Sequence, residues 1–207
     1  YEYLNSNESV RRIIEVEIPQ DLVIDHEISL SFSTDWQNIY RVYFRNGGIL
    51  TTNGNNVLLK AQMIYSDHGV IRTFPNGMTA KAEAAGRSGG EIRVFTSNAS
   101  GDLAIELRGE NGGAGQPVSG ASNGDIGNGG AGGDSGKFYF DSQSNNQFRI
   151  THLIQFGMGG AGAPAVPGRS ACIMGSCRPG EILTIPGRKA GVTGASGQRG
   201  EICFAQN

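Results

Sequence analysis

The sequence predicts an all-β fold: a β-strand-rich N-terminal part, sandwich or β-helix-like, with a C-terminal bundle of polyglycine-II helices. Three observations predict it. Short runs of strand-favouring residues, separated by turn signals, fill the first hundred positions. Glycine accounts for 33 of 207 residues, against an ordinary share of about 7 %, and in the second half it recurs at every third position. A pair of strand-like runs also repeats at an offset of 46 to 47 residues, as stacked units do. The expected division is a β-rich domain over residues 1–108 and a glycine-rich bundle over 109–207, with a strand pair at 137–156 interleaved.

The expected strands are Val10 to Ile18, His26 to Thr34, Asn38 to Arg45, Asn56 to Tyr65, Val70 to Phe74 and Glu91 to Thr96. Asp21, Asn46-Gly47-Gly48, Asn53-Gly54, His68-Gly69 and Asn76-Gly77 punctuate them, since these residues accept turn geometry. Met78 to Ala85 is rich in helix formers, yet its alternation sets Met78, Ala80, Ala82 and Ala84 on one face, and it is read as a strand. In the repeat, Gly90 to Ser97 and Asp102 to Arg108 precede Gly112 to Gly115, and Gly136 to Ser142 and Gln147 to His152 precede Gly159 to Gly162. Each unit reads as two strands joined by a polar turn with a glycine tract appended. A weaker third copy is placed at Gly47 to Leu50 and Val57 to Lys60.

From Gly109 to Gly136 ten positions are spaced by three, and eight of them are glycine; Val118 and Ala121 interrupt the register. Glycine at every third residue marks a left-handed helix with three residues per turn, whose crowded side lies against a neighbour. Collagen does not fit, because the tracts are short, poor in proline and contain Gly-Gly pairs. A flexible linker is the alternative to packed helices. At about 3.1 Å per residue in such a helix, residues 109–136 would reach about 85 Å, twice the diameter of about 40 Å expected for a chain of this size. The tract must fold back, and four legs follow: Gly109 to Gln116, Gly124 to Gly136, Gly157 to Gly168 and Gly187 to Gly200. Both reversals, 116–123 and 169–186, then fall at the end away from the strands. They carry the candidate ligand-binding residues Gln116, Val118, Ser119, Arg169, Ile173, Met174 and Arg178, because loops on a rigid scaffold concentrate binding function.

Cys172 and Cys177 sit in a Gly/Pro-rich stretch that a small disulfide would brace, leaving Cys203 as the odd thiol. No cofactor or metal is expected, since His26, His68 and His152 are scattered singly. Asp125 and Asp134 beside glycines fit ordinary turns as well as calcium loops. Net charge of −2 and pI near 5.9 argue against nucleic acid as a partner, and no apolar run is long enough for membrane insertion as a helix. The chain opens on Tyr1, compatible with removal of a leader or of upstream domains.

The glycine legs with intervening loops resemble the polyglycine-II receptor-binding adhesins at the tips of phage long tail fibres. Strand pairs followed by Gly-Gly-Ala-Gly are also similar to glycine-rich surface proteins of predatory bacteria of the Bdellovibrio kind. The likeness covers Gly90 to Asn207 and is compositional, so it transfers no binding residue. It implies an extracellular or cell-surface adhesin whose partner is a cell-surface glycan or outer-surface protein, and a homotrimer would suit a fibre tip. Glycine-rich antifreeze proteins share such a bundle, but these legs carry Asn, Asp and Gln where a flat ice-binding face needs small residues or threonine.

Two other classes are weighed. A polysaccharide-acting enzyme would need converging carboxylates, for which Asp21, Asp25, Asp35, Asp67 and Glu91, with His68, are the candidates. A structural spacer or coat subunit would need only the repeats. Trp36 reads as a core-edge aromatic or a sugar platform.

Overall fold

The computed structural model describes residues 3–5, 8–10, 20–116, 127–164, 169–172, 182–185 and 192–205. The chain is all-β, with no helix among those residues. Its strands are β1 (Tyr3–Asn5), β2 (Glu8–Val10), β3 (Gln20–Ile24), β4 (Glu27–Ser29), β5 (Thr34–Phe44), β6 (Ile49–Thr51), β7 (Val57–Arg72), β8 (Glu91–Arg108), β9 (Lys137–Gln155), β10 (Arg169–Cys172), β11 (Ile182–Ile185) and β12 (Glu201–Phe204). β1 pairs with β2 and β10 with β11, both antiparallel. The other eight form one sheet, ordered β12-β9-β8-β7-β5-β3, with β4 on β6 and β6 on β7, and every pairing in it is parallel.

Parallel neighbours that are consecutive in sequence require a return path after every strand, so the chain advances in coils. Each coil has a first run, a corner and a second run. β7 pairs with β5 through its first run and with β6 through its second. The corners stack as well: Arg45 N–H donates to Ile24 O, Gly47 N–H to Asp67 O and Val70 N–H to Gly48 O, at 2.9–3.0 Å. Asn46, Gly47, His68 and Gly101 all have positive φ there. At Gly101 a side chain would also strike the Ser66 carbonyl, so glycine is required. The return paths lengthen coil by coil, from 30–33 and 52–56 to 73–90, 109–136 and 156–200.

The core fills the inside of these coils. Val57, Ile92 and Phe138 are nearly or fully buried and occupy successive positions of one rung that ends at Ile202. Leu59, Val94 and Phe140 form the next inward rung. The repeat offset is the strand register itself: Ile92 faces Phe138 and Leu103 faces Ile150, 46 and 47 residues apart, the extra residue entering at the irregularity between Asn98 and Ser100.

Several sequence readings change. The two strands of each repeat unit are one bent strand, because the polar segment between them is a corner and not a hairpin turn. Asn56 to Tyr65 and Val70 to Phe74 likewise fall together in β7, up to Arg72, with His68-Gly69 at its corner. The third copy is β7 itself, since Val57 is the residue that pairs with Ile92 and Ile49 pairs with Val70. Trp36 lies inside β5, half-buried against the core. Val10 to Ile18 falls, beyond Val10, outside the described residues.

Met78 to Ala85 is not a strand. Residues 78–81 leave the sheet, Ala84 N–H closes a turn on Lys81 O at 3.0 Å, and 84–89 return. The glycine-spaced stretches continue this pattern side by side. Segment 127–136 runs against 109–116, with Gly130 N–H to Gly113 O and Gly133 N–H to Glu110 O. Segment 156–164 runs against 127–136 through Gly157, Gly160 and Ala163, and 192–200 against 156–164 through Gly194 and Gly197. Gly109, Gly112 and Gly115 donate to Gln155, Met158 and Ala161. All these bonds are 2.7–3.0 Å, and donors recur every third residue. Backbone without internal hydrogen bonds must find partners in its neighbours, and here it does. Polar side chains add fasteners: Asn111 Oδ1 accepts from Met158 N–H, Asn128 Oδ1 from Val192 N–H and Asp134 Oδ1 from Gln198 N–H.

Glu110 joins the sheet to this layer. Its side chain is only 6 % exposed, and Oε2 accepts from Arg87 Nε at 2.9 Å and from Arg87 N–H at 3.0 Å. Burial pushes its carboxyl up, but the Arg87 hydrogen bonds and charge outweigh that and hold it below the usual range. A depressed carboxylate stabilises the fold above its unfolded pKa, and the gain is lost as pH falls through the folded value. Glu110→Gln is therefore expected to lower stability by about 1–2 kcal/mol at neutral pH, measured by urea denaturation. The difference from the parent should shrink below the ordinary carboxylate range, about pH 4; a difference that is flat across pH would show that the charge is not what matters.

Candidate functional site

Of the ligand-binding residues expected from sequence, Val118, Ser119, Ile173, Met174 and Arg178 lie outside the described residues, as does Cys177, so the disulfide with Cys172 goes with it. Gln116 is exposed, and its N–H donates to Glu83 Oε1 at 3.2 Å. Arg169 pairs with Ile185 and Cys172 with Ile182 in the β10–β11 ladder.

The described surface richest in chemistry is the outer face of the first runs. Strand alternation places it there: Ile92 and Val94 point inward, so Arg93 and Phe95 point outward. The parallel register then aligns outward residues from separate coils. One rung carries Val23, Tyr43 and Tyr65. The two tyrosine rings stack at 5.3 Å with 14° between planes, and the Arg45 guanidinium sits 4.7 Å from the Tyr43 ring centre. Arg41 lies 4.6 Å over Tyr40 and donates to Tyr43 Oη at 3.4 Å.

A second rung carries Asp35, Leu58, Arg93, Tyr139 and Cys203. Arg93 donates through Nε to Glu91 and lies 5.4 Å over the Tyr139 ring. On one side of Arg93 is a depression of about 340 Å³ lined by Ser33, Asp35, Asn56 and Glu91. On the other is one of about 380 Å³ lined by Phe95, Tyr139, Asp141, Cys203 and Phe204. Both are at the small end of ligand pockets. Asp35 accepts from Gln37 Nε2 at 2.6 Å. Asp141 is half-buried and has no hydrogen-bond or ion-pair partner among the described residues. Cys203 is a free, exposed thiol.

Of the carboxylates weighed for catalysis, the structure brings Asp35 and Glu91 into one depression and leaves the others apart from it. Asp25 and Asp67 lie at the corners, each bonded to the adjacent histidine: Asp25 to His26 at 2.5 Å and Asp67 to His68 at 2.9 Å. The Asp67 hydrogen bond and charge, with Asp102 adding to them, raise the His68 pKa. That contribution to stability is complete below the ordinary histidine range and is lost as pH rises through the raised value. Among the described residues, no three metal-ligating side chains come together.

Arg93, Phe95, Tyr139, Asp141 and Cys203 were not singled out from sequence as site residues. The signal was available in the repeat: an offset of 46 sets Arg93 beside Tyr139 and Phe95 beside Asp141. It becomes visible only once the repeat is taken as parallel register. In comparisons with known proteins, no family model, no curated protein and no solved structure matches the chain.

Proposed function

We propose that the chain is an extracytoplasmic adhesin or fibre-tip module that recognises a cell-surface glycan or surface protein without chemistry. In this reading the parallel coils are β-helix-like and the glycine-spaced segments are polyglycine-II helices. The observation that carries it is the scaffold: backbone hydrogen bonds at every third residue tie segments 78–89, 109–116, 127–136, 156–164 and 192–200 together. Ordering of that kind supports recognition by lowering the entropy that binding must overcome, and it fits loops 116–123 and 169–186 as contact surfaces. The second reading, a polysaccharide-acting enzyme, is favoured only by Asp35 and Glu91 sharing a depression.

Labelled protein incubated with bacterial cells and purified surface polysaccharides tests this, with retained protein and released soluble sugar both measured. Selective retention without sugar release is expected. Replacement of 169–186 by a Gly/Ser stretch is expected to lower retention by about tenfold or more. Sugar release would replace the adhesin with the enzyme, and no retention on any surface would leave a structural spacer.

A further inference from the structure

We propose that the outer face of the sheet, along the rung Asp35-Leu58-Arg93-Tyr139-Cys203, is a binding groove for a neutral oligosaccharide, with Asp141 as its principal hydrogen-bond acceptor. The inference rests on the binding-module reading and adds to it a site apart from the loops and a ligand class.

The rung is built for an extended, amphipathic chain. Strands in a sheet are about 4.8 Å apart, so the four steps from Asp35 to Cys203 span about 19 Å. The two depressions lie on either side of Arg93 along this line. One sets the polar groups of Ser33, Asp35, Asn56 and Glu91 beside Val57 and Leu58. The other is walled by Phe95, Tyr139 and Phe204, of which Phe95 is 36 % and Phe204 48 % exposed. Aromatic faces offer dispersion contact to the C–H face of a sugar ring, and flanking carboxylates and a guanidinium offer acceptors and donors to its hydroxyls.

Charge selects among occupants. Asp35, Glu91 and Asp141 stand against Arg93 and, beyond it, Lys60, whose ammonium lies 5.9 Å over the Phe95 ring. The interspersed signs present no single-sign field to attract a polyanion. The carboxylates also interrupt the apolar wall that a helix or lipid chain would need. A ligand with many hydroxyls and no net charge meets both conditions. Asp141 is the sharpest pointer: Glu91, Asp35 and Glu110 each have an intramolecular partner, whereas Asp141 is half-buried beside aromatic rings with none among the described residues. A partly desolvated carboxylate gains most from donors supplied by a ligand.

Cys203 supplies a local reporter, because it lies in the groove with a free thiol. The full chain is screened on a panel of neutral and acidic oligosaccharides, and Kd is measured for the best neutral one. Cys203 alkylation by a maleimide is followed by peptide mass spectrometry with and without it. The expected result has three parts. The sugar slows Cys203 alkylation, Asp141→Asn weakens binding by about tenfold or more, and replacement of 169–186 leaves Kd within about twofold. Tyr139→Leu should act in the same direction, with denaturation curves used to show that both variants are folded. Binding abolished by the loop replacement and indifferent to Asp141→Asn, with Cys203 unprotected, would overturn the groove and keep the adhesin. Retention on cells through a surface protein, with no sugar bound, would do the same. No binding of any kind would overturn both readings.

Discussion

Alanine in place of Gly130 is expected to cost about 3 kcal/mol or more and to loosen the layer of glycine-spaced segments around it. Gly130 sits where several segments meet. Its N–H donates to Gly113 O at 2.8 Å, and its carbonyl accepts from Gly160 N–H at 2.8 Å. A Cβ at this position would overlap the carbonyl carbon and oxygen of Ala84, and methyl groups on Gly112 or Gly194 would overlap the carbonyl of Gly130 itself. Every atom in the way belongs to backbone that is hydrogen-bonded in its turn, so no rotamer change relieves the overlap. The control is Gly77→Ala. Gly77 has φ of 74° and open space around its missing Cβ, so its cost is confined to backbone conformation, about 1 kcal/mol. Urea denaturation gives the two costs, and amide hydrogen exchange at Gly113 and Gly160 shows whether the loss is local to the layer. Equal stability of the two variants would mean that the segments do not pack as closely as their hydrogen bonds indicate.

The same residues explain what the sequence could and could not disclose. Glycine spacing at 109–136 and 191–200 is a strong signal, because a Cβ at Gly112, Gly130 or Gly194 would strike a neighbouring backbone carbonyl. Segment 78–89 carries such spacing only at Gly86 and Gly89, and its alanines alternate as a strand would. It nonetheless joins the layer, because Ala80, Glu83, Gly86 and Gly89 place their N–H groups opposite carbonyls of 111, 114, 131 and 134. Periodicity reads side-chain constraints, and here the constraint lies in the backbone. Strand existence was legible from composition, whereas strand extent was not. His68-Gly69 and the residues around Gly101 carry turn chemistry, and a corner of a parallel coil uses the same positive φ as a hairpin turn. The outer-face site was hidden for a related reason. Arg93 and Tyr139 are 46 residues apart, and only the decision between antiparallel hairpins and parallel coils places them in contact.

Phe138→Ala tests that decision and should be the most damaging change within the sheet, at about 3–5 kcal/mol. Phe138 is fully buried and stacks near Phe140, with ring centres 6.4 Å apart. Above and below it on the rung stand Ile92, also fully buried, and Ile202. Truncation leaves a cavity bounded by strands on both sides, and parallel pairing holds those strands too firmly for collapse to fill it. Phe204→Ala removes a ring that is 48 % exposed and should cost about 1 kcal/mol or less. The more exacting version is a double-mutant cycle between Ile92→Val and Phe138→Leu, each mild enough to leave the fold intact. Side chains in contact couple by about 0.5 kcal/mol or more, and distant ones add independently. In antiparallel hairpins, with the runs of each repeat folded back on themselves, these two residues would have no reason to touch. Measurable coupling therefore follows from the 46-residue register alone, and strict additivity would remove the parallel coils on which the outer groove depends.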